Sequence, residues 1–219
     1  MLTAMVVIAV RGGASAKGRC APVLDLQGRE ALTAAMLGDM LEAVSGAAGV
    51  SGAWVVTPTA ELAELAASFG ATPILEPEAL GLGEAFTTAR RTIADRDPNA
   101  MTVLLPGDLP RLDPVELAAV VASWRPGEAV LAPAKADGGT GAILIDAVTP
   151  FSFAYGPGSL QRHVASARAA GLSPRLIETP GLAFDLDQPA DIASLLALPG
   201  AGRTRALLAS HPLAGEAAA

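Results

Sequence analysis

At 219 residues, with 51% hydrophobic and 17% charged content, the chain is long enough for one domain with a full core and is globular rather than disordered. Its net charge of −7 offers no basic field to nucleic acid or an anionic membrane, so handling of anions would need a local cation cluster or a metal. One cysteine, Cys20, excludes an internal disulfide or a cysteine metal site, and His163 and His211 are too few and too far apart for a zinc motif.

The first apolar run, Met5 to Val10, is short and continuous, as are Trp54 to Val56, Met101 to Leu105, Val130 to Ala132 and Ile143 to Ile145. Such runs predict strands buried on both faces of a mostly parallel sheet. No run reaches the ~20 residues of a membrane span, and no signal peptide is read, so the cytoplasm is the expected compartment. Between the strands, Leu32, Met36, Leu37, Met40, Leu41 and Val44 form one helical stripe, and Leu117, Val120, Val121 and Trp124 another. Asp113 and Pro114 supply the second helix with an N-cap and a first-turn proline. The order predicts a three-layer α/β/α sandwich over residues 1–199 with a mixed, mostly parallel sheet. Residues 200–219 are expected to form a peripheral tail with one turn of helix around Arg203 to Leu208.

In such sheets ligands sit beyond the carboxyl ends of strands. After the first strand come Arg11, Gly12, Gly13, Ala14, Ser15, Ala16, Lys17, Gly18 and Arg19. Small residues with open N–H groups and three cations suit a triphosphate, although the loop lacks a Walker ending. A mobile surface loop is the alternative. Asp108 follows another strand between Pro106 and Pro110. Asp185 and Asp187 follow a further apolar stretch, two apart and so on one face if extended. Three hard carboxylates from two strand ends suit magnesium shared with phosphates. Asp187 equally suits the N-cap of a helix opened by Pro189, and Asp108 a turn cap.

Asp137 to Gly141 precede a strand, and Phe151 to Ser159 a helix. Ser159 reads as that helix's N-cap. Its free N–H groups, with Gly156 and Gly158, form a candidate site for a phosphorylated acid, and Thr140 adds a hydroxyl. A plain turn and cap is the alternative. His163 reads as structural or surface, and Arg162 and Arg168 as solvated.

These pieces together resemble the 2-phospho-L-lactate guanylyltransferase family of coenzyme F-420 synthesis, whose bacterial members act on phosphoenolpyruvate or 3-phosphoglycerate. The resemblance rests on Ala16-Lys17-Gly18-Arg19, Arg29 to Leu37, Leu105-Pro106-Gly107-Asp108-Leu109-Pro110, Asp137-Gly138-Gly139-Thr140, Phe153 to Ser159 and Asp185 to Asp191, in family order over nearly the whole chain. It implies a nucleotide-diphospho-sugar-transferase-like, Rossmann-like fold and GMP transfer from GTP to a small phosphorylated acid (phosphoenolpyruvate, 2-phospho-L-lactate or 3-phosphoglycerate) with release of pyrophosphate. It further implies Asp108, Asp185 and Asp187 as Mg2+ ligands, and Lys17, Thr140, Gly156 and Ser159 on the acid or phosphates. Lys17 and Asp108 are then the catalytic candidates, with Arg11, Gly12, Gly13, Arg19 and Gly83 beside the nucleotide. Arg11 stands where the family usually has Lys, and Gly83 and Gly141 where Asn is usual. Molybdopterin or sugar-1-phosphate nucleotidyltransferases share the fold and aspartates, and a non-catalytic nucleotide-binding relative is the reading of another class. No nucleic-acid or membrane partner is expected, and monomer and homodimer stay open.

Overall fold

The computed structural model describes residues 3–13, 16–76, 78, 80–134 and 138–210. Asp137, Ala14, Ser15 and His211 lie outside them. The strands are β1 (Ala4–Ala9), β2 (Val50–Thr57), β3 (Thr72–Leu75), β4 (Met101–Pro106), β5 (Glu128–Pro133), β6 (Thr140–Asp146) and β7 (Ser173–Leu176). The helices are α1 (Leu26–Gly46), α2 (Ala60–Ser68), α3 (Leu82–Arg96), α4 (Pro114–Ser123), α5 (Ser159–Ala169), α6 (Pro189–Ala197) and α7 (Arg203–Ser210). All seven strands form one sheet in the order β3-β2-β1-β4-β6-β5-β7, and only β6 runs antiparallel to its neighbours.

The pleat sends alternate residues of β1 to opposite faces. Val6 and Ile8 pack with Leu37, Met40 and Val44 of α1, Leu62 of α2 and Val120 of α4. Val7 and Ala9 pack with Phe86 and Ile93 of α3 and Ala167 of α5. Burial on both faces is why the strands carry continuous apolar runs. The α1 stripe is longer than one neighbour needs. Its first turns, Leu32 and Met36, turn instead to a third cluster with Cys20, Leu186, Ile192 of α6 and Leu208 of α7.

That cluster makes α7 more than a peripheral turn: Leu208 and Thr204 are buried, and Asp39 of α1 accepts the first backbone N–H groups, from Arg203 at 2.7 Å and Thr204 at 2.9 Å. The cap is supplied from another helix, a signal the local sequence does not carry. Asp113 caps α4 through Val115 N–H at 2.8 Å and Glu116 N–H at 3.1 Å, with Pro114 in the first turn. No helix among the described residues is long and apolar enough to cross a membrane.

From β1 the sheet grows in two directions, to β2 on one side and β4 on the other, so the crevice at their carboxyl ends is the topological switch point. The two ends lie very close there. A Cβ on Gly107 would come within 2.6 Å of Val10 Cβ, and Gly107 N–H donates to Ala9 O at 2.9 Å. Only glycine lets the turn after β4 pass the end of β1.

Candidate active site

A cavity of about 780 Å³ opens at this switch point, a size suited to a nucleotide and a small second substrate. Its walls include Arg11, Gly18 and Arg19 from the loop after β1, Gly81 to Gly83 at the start of α3, Asp108 after β4, and Phe153 to Gly156 before α5. Gly12, Gly13 and Asp185 are not among its lining residues. Gly12 packs beside Thr59 and Leu62, where a Cβ would come within 2.8 Å and 2.9 Å of their side chains.

Lys17 holds the centre. Its ammonium donates to Asp108 Oδ2 at 3.0 Å and to Asp187 Oδ1 at 2.7 Å, with the side chain only 10% exposed. Burial alone would lower the Lys17 pKa, but the charges of Asp108 and Asp187 outweigh it and the value is raised. Burial pushes Asp187 up, while Lys17 and then Arg19 pull it down, and the net is below the usual carboxylate value. Arg19 reaches Asp187 Oδ2 at 3.7 Å from an exposed position. Lys17 is the one non-glycine residue with positive φ among the described residues (φ 45°, ψ 42°). Such backbone strain, of order 1–3 kcal/mol, concentrates at functional sites.

Asp187 is free for this role because another carboxylate starts α6. Asp191 Oδ2 accepts the backbone N–H groups of Asp187 at 2.9 Å and Gln188 at 2.8 Å, which leaves Asp187 outside the cap. The N-cap alternative for Asp187 is thereby removed. Asp108 is fixed through its carbonyl, which accepts from Leu186 N–H at 3.0 Å.

The segment carrying Asp185 and Asp187 is not a strand end. Residues 180–183 turn and 184–187 are irregular, so strand alternation does not govern where these side chains go. Among the described residues no group of three His, Cys, Asp or Glu is arranged as a ready-made metal site, and Asp185 lies near enough to feel the charges of Asp108 and Asp187. Two carboxylates flank Lys17 instead. The Asp185 carboxyl is pushed up to about 6, first by burial and then by the charge of Asp108.

Thr140 and Ser159 are brought together beside the start of α5. Neither lines the cavity, and the N-cap of α5 is Gly158 in a left-handed conformation (φ 68°), with Ser159 as first helical residue. The Thr140 hydroxyl meets Ser159 Oγ at 3.1 Å and His163 Nδ1 at 2.8 Å, all buried. Ala154 N–H donates to His163 Nε2 at 3.0 Å, which fixes the imidazole as neutral with its proton on Nδ1. Nδ1–H then donates to Thr140, whose own proton is left for Ser159. Burial, and next Arg162, depress His163 to about 4, so it stays neutral at physiological pH. This chain of bonds anchors the segment before α5. Arg162, expected as solvated, lies at the surface but donates to Ala154 O at 3.0 Å, Pro157 O at 2.9 Å and Gly156 O at 3.3 Å.

The two departures from Asn have steric reasons. A Cβ on Gly83 would lie 3.1 Å from Phe153 O, so glycine lets that segment rest on α3. A Cβ on Gly141 would meet Leu182 O at 1.9 Å, which no side chain tolerates. Sequence reasoning passed over Thr33, which lines the cavity from α1, and Asp191, which frees Asp187. The spacing Gln188-Pro189-Ala190-Asp191 was the available signal, an acid at the third helical position after a first-turn proline.

The profile of guanylyl transferases described as CofC-like matches residues 4–210, which covers the cavity and both carboxylates. The chain belongs to the CofC-like guanylyltransferase family. Among curated CofC-like relatives, it is 45% identical over 204 residues to a 3-phospho-D-glycerate guanylyltransferase of Phenylobacterium zucineum, covering 92% of this chain and 94% of that one. It is 36% identical over 200 residues to a phosphoenolpyruvate guanylyltransferase of Rubrobacter xylanophilus, covering 91% and 96%. A solved structure described as a nucleotide-diphospho-sugar transferase, from Desulfovibrio desulfuricans, superposes with a TM-score of 0.74 at 19% identity, covering 95% of this chain and 94% of that one. A cytidylyltransferase from Leptospira borgpetersenii gives 0.59 at 17%, covering 89% and 85%. The CofC-like chain thus shares the fold of nucleotidyltransferases and is itself an enzyme of that type.

Proposed function

We propose that the chain transfers GMP from GTP to a small phosphorylated carboxylic acid, phosphoenolpyruvate or 3-phosphoglycerate, as a step of coenzyme F-420 synthesis. The observation that carries the reading is the Lys17 ammonium held between Asp108 and Asp187 at the switch-point cavity, which Arg11 and Arg19 also line. The acceptor phosphate is already ionised at neutral pH and needs no strong general base. What the chain must supply is alignment and charge neutralisation. Lys17 would exchange its two carboxylates for phosphate oxygens, with Arg11 and Arg19 holding the triphosphate end. Phe153 to Gly156 would seat the acid, with the His163 hydrogen bonds keeping that segment in place.

Asp108 and Asp187 fit a divalent cation: they are hard oxygen donors beside an open cavity, and magnesium takes one or two protein carboxylates and fills its shell with phosphates and water. Bound there, it would neutralise charge on the phosphates during the in-line displacement. The test is pyrophosphate release with each of the four nucleoside triphosphates, paired in turn with phosphoenolpyruvate, 3-phosphoglycerate and 2-phospholactate. GTP with one of the acids should stand at least tenfold above the rest. Equal release without any acid would refute the reading.

A further inference from the structure

A second cavity, of about 970 Å³, lies on the outer side of the sheet's α3–α5 layer and has no part in the reaction above. Its lining includes Arg90, Arg91 and Arg162 and no aspartate or glutamate, in a chain of net charge −7. Among the described residues none of the three arginines has a carboxylate within ion-pair distance. Arg90 is 5% exposed, and its Nη2 donates only to backbone oxygens, Asp146 O at 2.7 Å and Thr149 O at 2.6 Å. Its Nε is buried with no hydrogen-bond partner. Burial, partly offset by Asp146, pulls its pKa down to about 10, so it is still a cation at neutral pH. A buried charge normally has a countercharge in contact with it, and here the charge of Asp146 acts only from beyond ion-pair distance.

We propose that this groove is a binding site for a small phosphate-bearing anion. Arginine suits phosphate because its planar fork gives paired charge-assisted donors. Thr149 and Ser152, also in the lining, offer neutral polar groups beside it. The groove is positioned to influence catalysis. The segment from Phe151 to Gly156 is a wall between the two cavities: Ala154 borders both, Phe153, Tyr155 and Gly156 face the catalytic one, and Phe151 and Ser152 face the groove. Arg162 grips the carbonyls of that wall, and the Arg90 guanidinium sits 5.5 Å from the Phe153 ring centroid. An anion that draws Arg162 toward the groove loosens its hold on Ala154 and Gly156 and changes the seat of the acceptor acid.

Residue-resolved amide NMR of the whole chain tests this, with inorganic phosphate and glycerol 2-phosphate as probes to separate free from esterified phosphate. The amides of Thr149, Ser152 and Ala165 should shift and saturate, on a curve distinct from that of Gly18 and Gly107 in the catalytic cavity. Arg91→Glu alters an exposed side chain that serves neither the carbonyl contacts nor the chemistry, and it should weaken only the groove curve, roughly tenfold or more. Arg91→Ala is the milder companion, and the spectra themselves report whether either variant is folded. Groove amides that never saturate, or curves unchanged in Arg91→Glu, overturn the site. A second arm rests on the proposed reaction: the acceptor KM should respond to glycerol 2-phosphate more in the wild type than in Arg91→Glu. An identical response in both overturns the link to catalysis while leaving the binding result to stand by itself.

Discussion

Replacing Lys17 by Met removes the ammonium and keeps an unbranched side chain of similar length, so the left-handed backbone cost at position 17 is unchanged. Asp108 and Asp187 are then left facing one another with only the exposed Arg19 as a countercharge, 3.7 Å from Asp187. Removing one partner of a fully buried pair costs ~3–5 kcal/mol, and an exposed pair contributes ~0–1 kcal/mol. Lys17 is 10% exposed, Asp108 23% and Asp187 39%, so the two ion pairs lie between those limits. We expect a loss of about 2 kcal/mol at neutral pH, which would lower a urea midpoint by roughly 1 M. The direction with pH follows from Asp187, whose folded pKa lies below its unfolded value. Its stabilisation is therefore complete above the ordinary carboxylate range and is lost as pH falls through the folded pKa. The gap between wild type and Lys17→Met should begin to narrow as pH falls below about 4. Turnover should fall by about 10²–10³, as when a charge-stabilising donor is removed from an active site. Urea melts at pH 7 and pH 3.5, together with pyrophosphate release, measure both effects. Stability within 0.5 kcal/mol of wild type (about the error of such melts) with turnover within tenfold would refute the reasoning.

Asp191→Ala removes an acceptor from two backbone N–H groups and should cost about 1–2 kcal/mol by calorimetry; it should also raise KM more than it lowers kcat, because Asp187 loses its fixed backbone. Gly141→Ala drives a Cβ into Leu182 O, so it should destabilise by at least about 2 kcal/mol or displace residues 180–187, seen as a lower Tm and reduced turnover. His163 has a folded pKa near 4 and an unfolded value near 6.5. The unfolded state takes up the proton first, so stability is full above about pH 6.5 and falls by up to about 3 kcal/mol toward pH 4. His163→Gln should flatten that part of the stability–pH curve.

The layers of the fold were legible in the sequence because burial on both faces writes itself as unbroken apolar runs, and because Asp113 and Pro114 mark a helix start locally. β7 was harder: Ser173-Pro174-Arg175-Leu176 is an edge strand with an exposed leucine and no apolar run to betray it. The irregular path of 184–187 was misread as a strand end, since Leu182, Ala183 and Leu186 are buried like strand residues yet sit in a turn and an extended coil. Ser159 was misread as a cap because Gly158 takes the left-handed position just before it. Lys17, Asp108 and Asp187 could be named as candidates from motif and position. That a lysine would stand between the two acids depends on contacts 91 and 170 residues apart, which no local pattern encodes.

The start of α6 leans on Asp191, and so Asp187 has no share in holding that helix together. An Asp187→Asn protein therefore keeps the cap of α6, and its cost to folding is confined to the ion pairs with Lys17 and Arg19. The same arrangement also leaves the carboxylate at 187 open to change in descendants of this chain that abandon the reaction but keep the architecture.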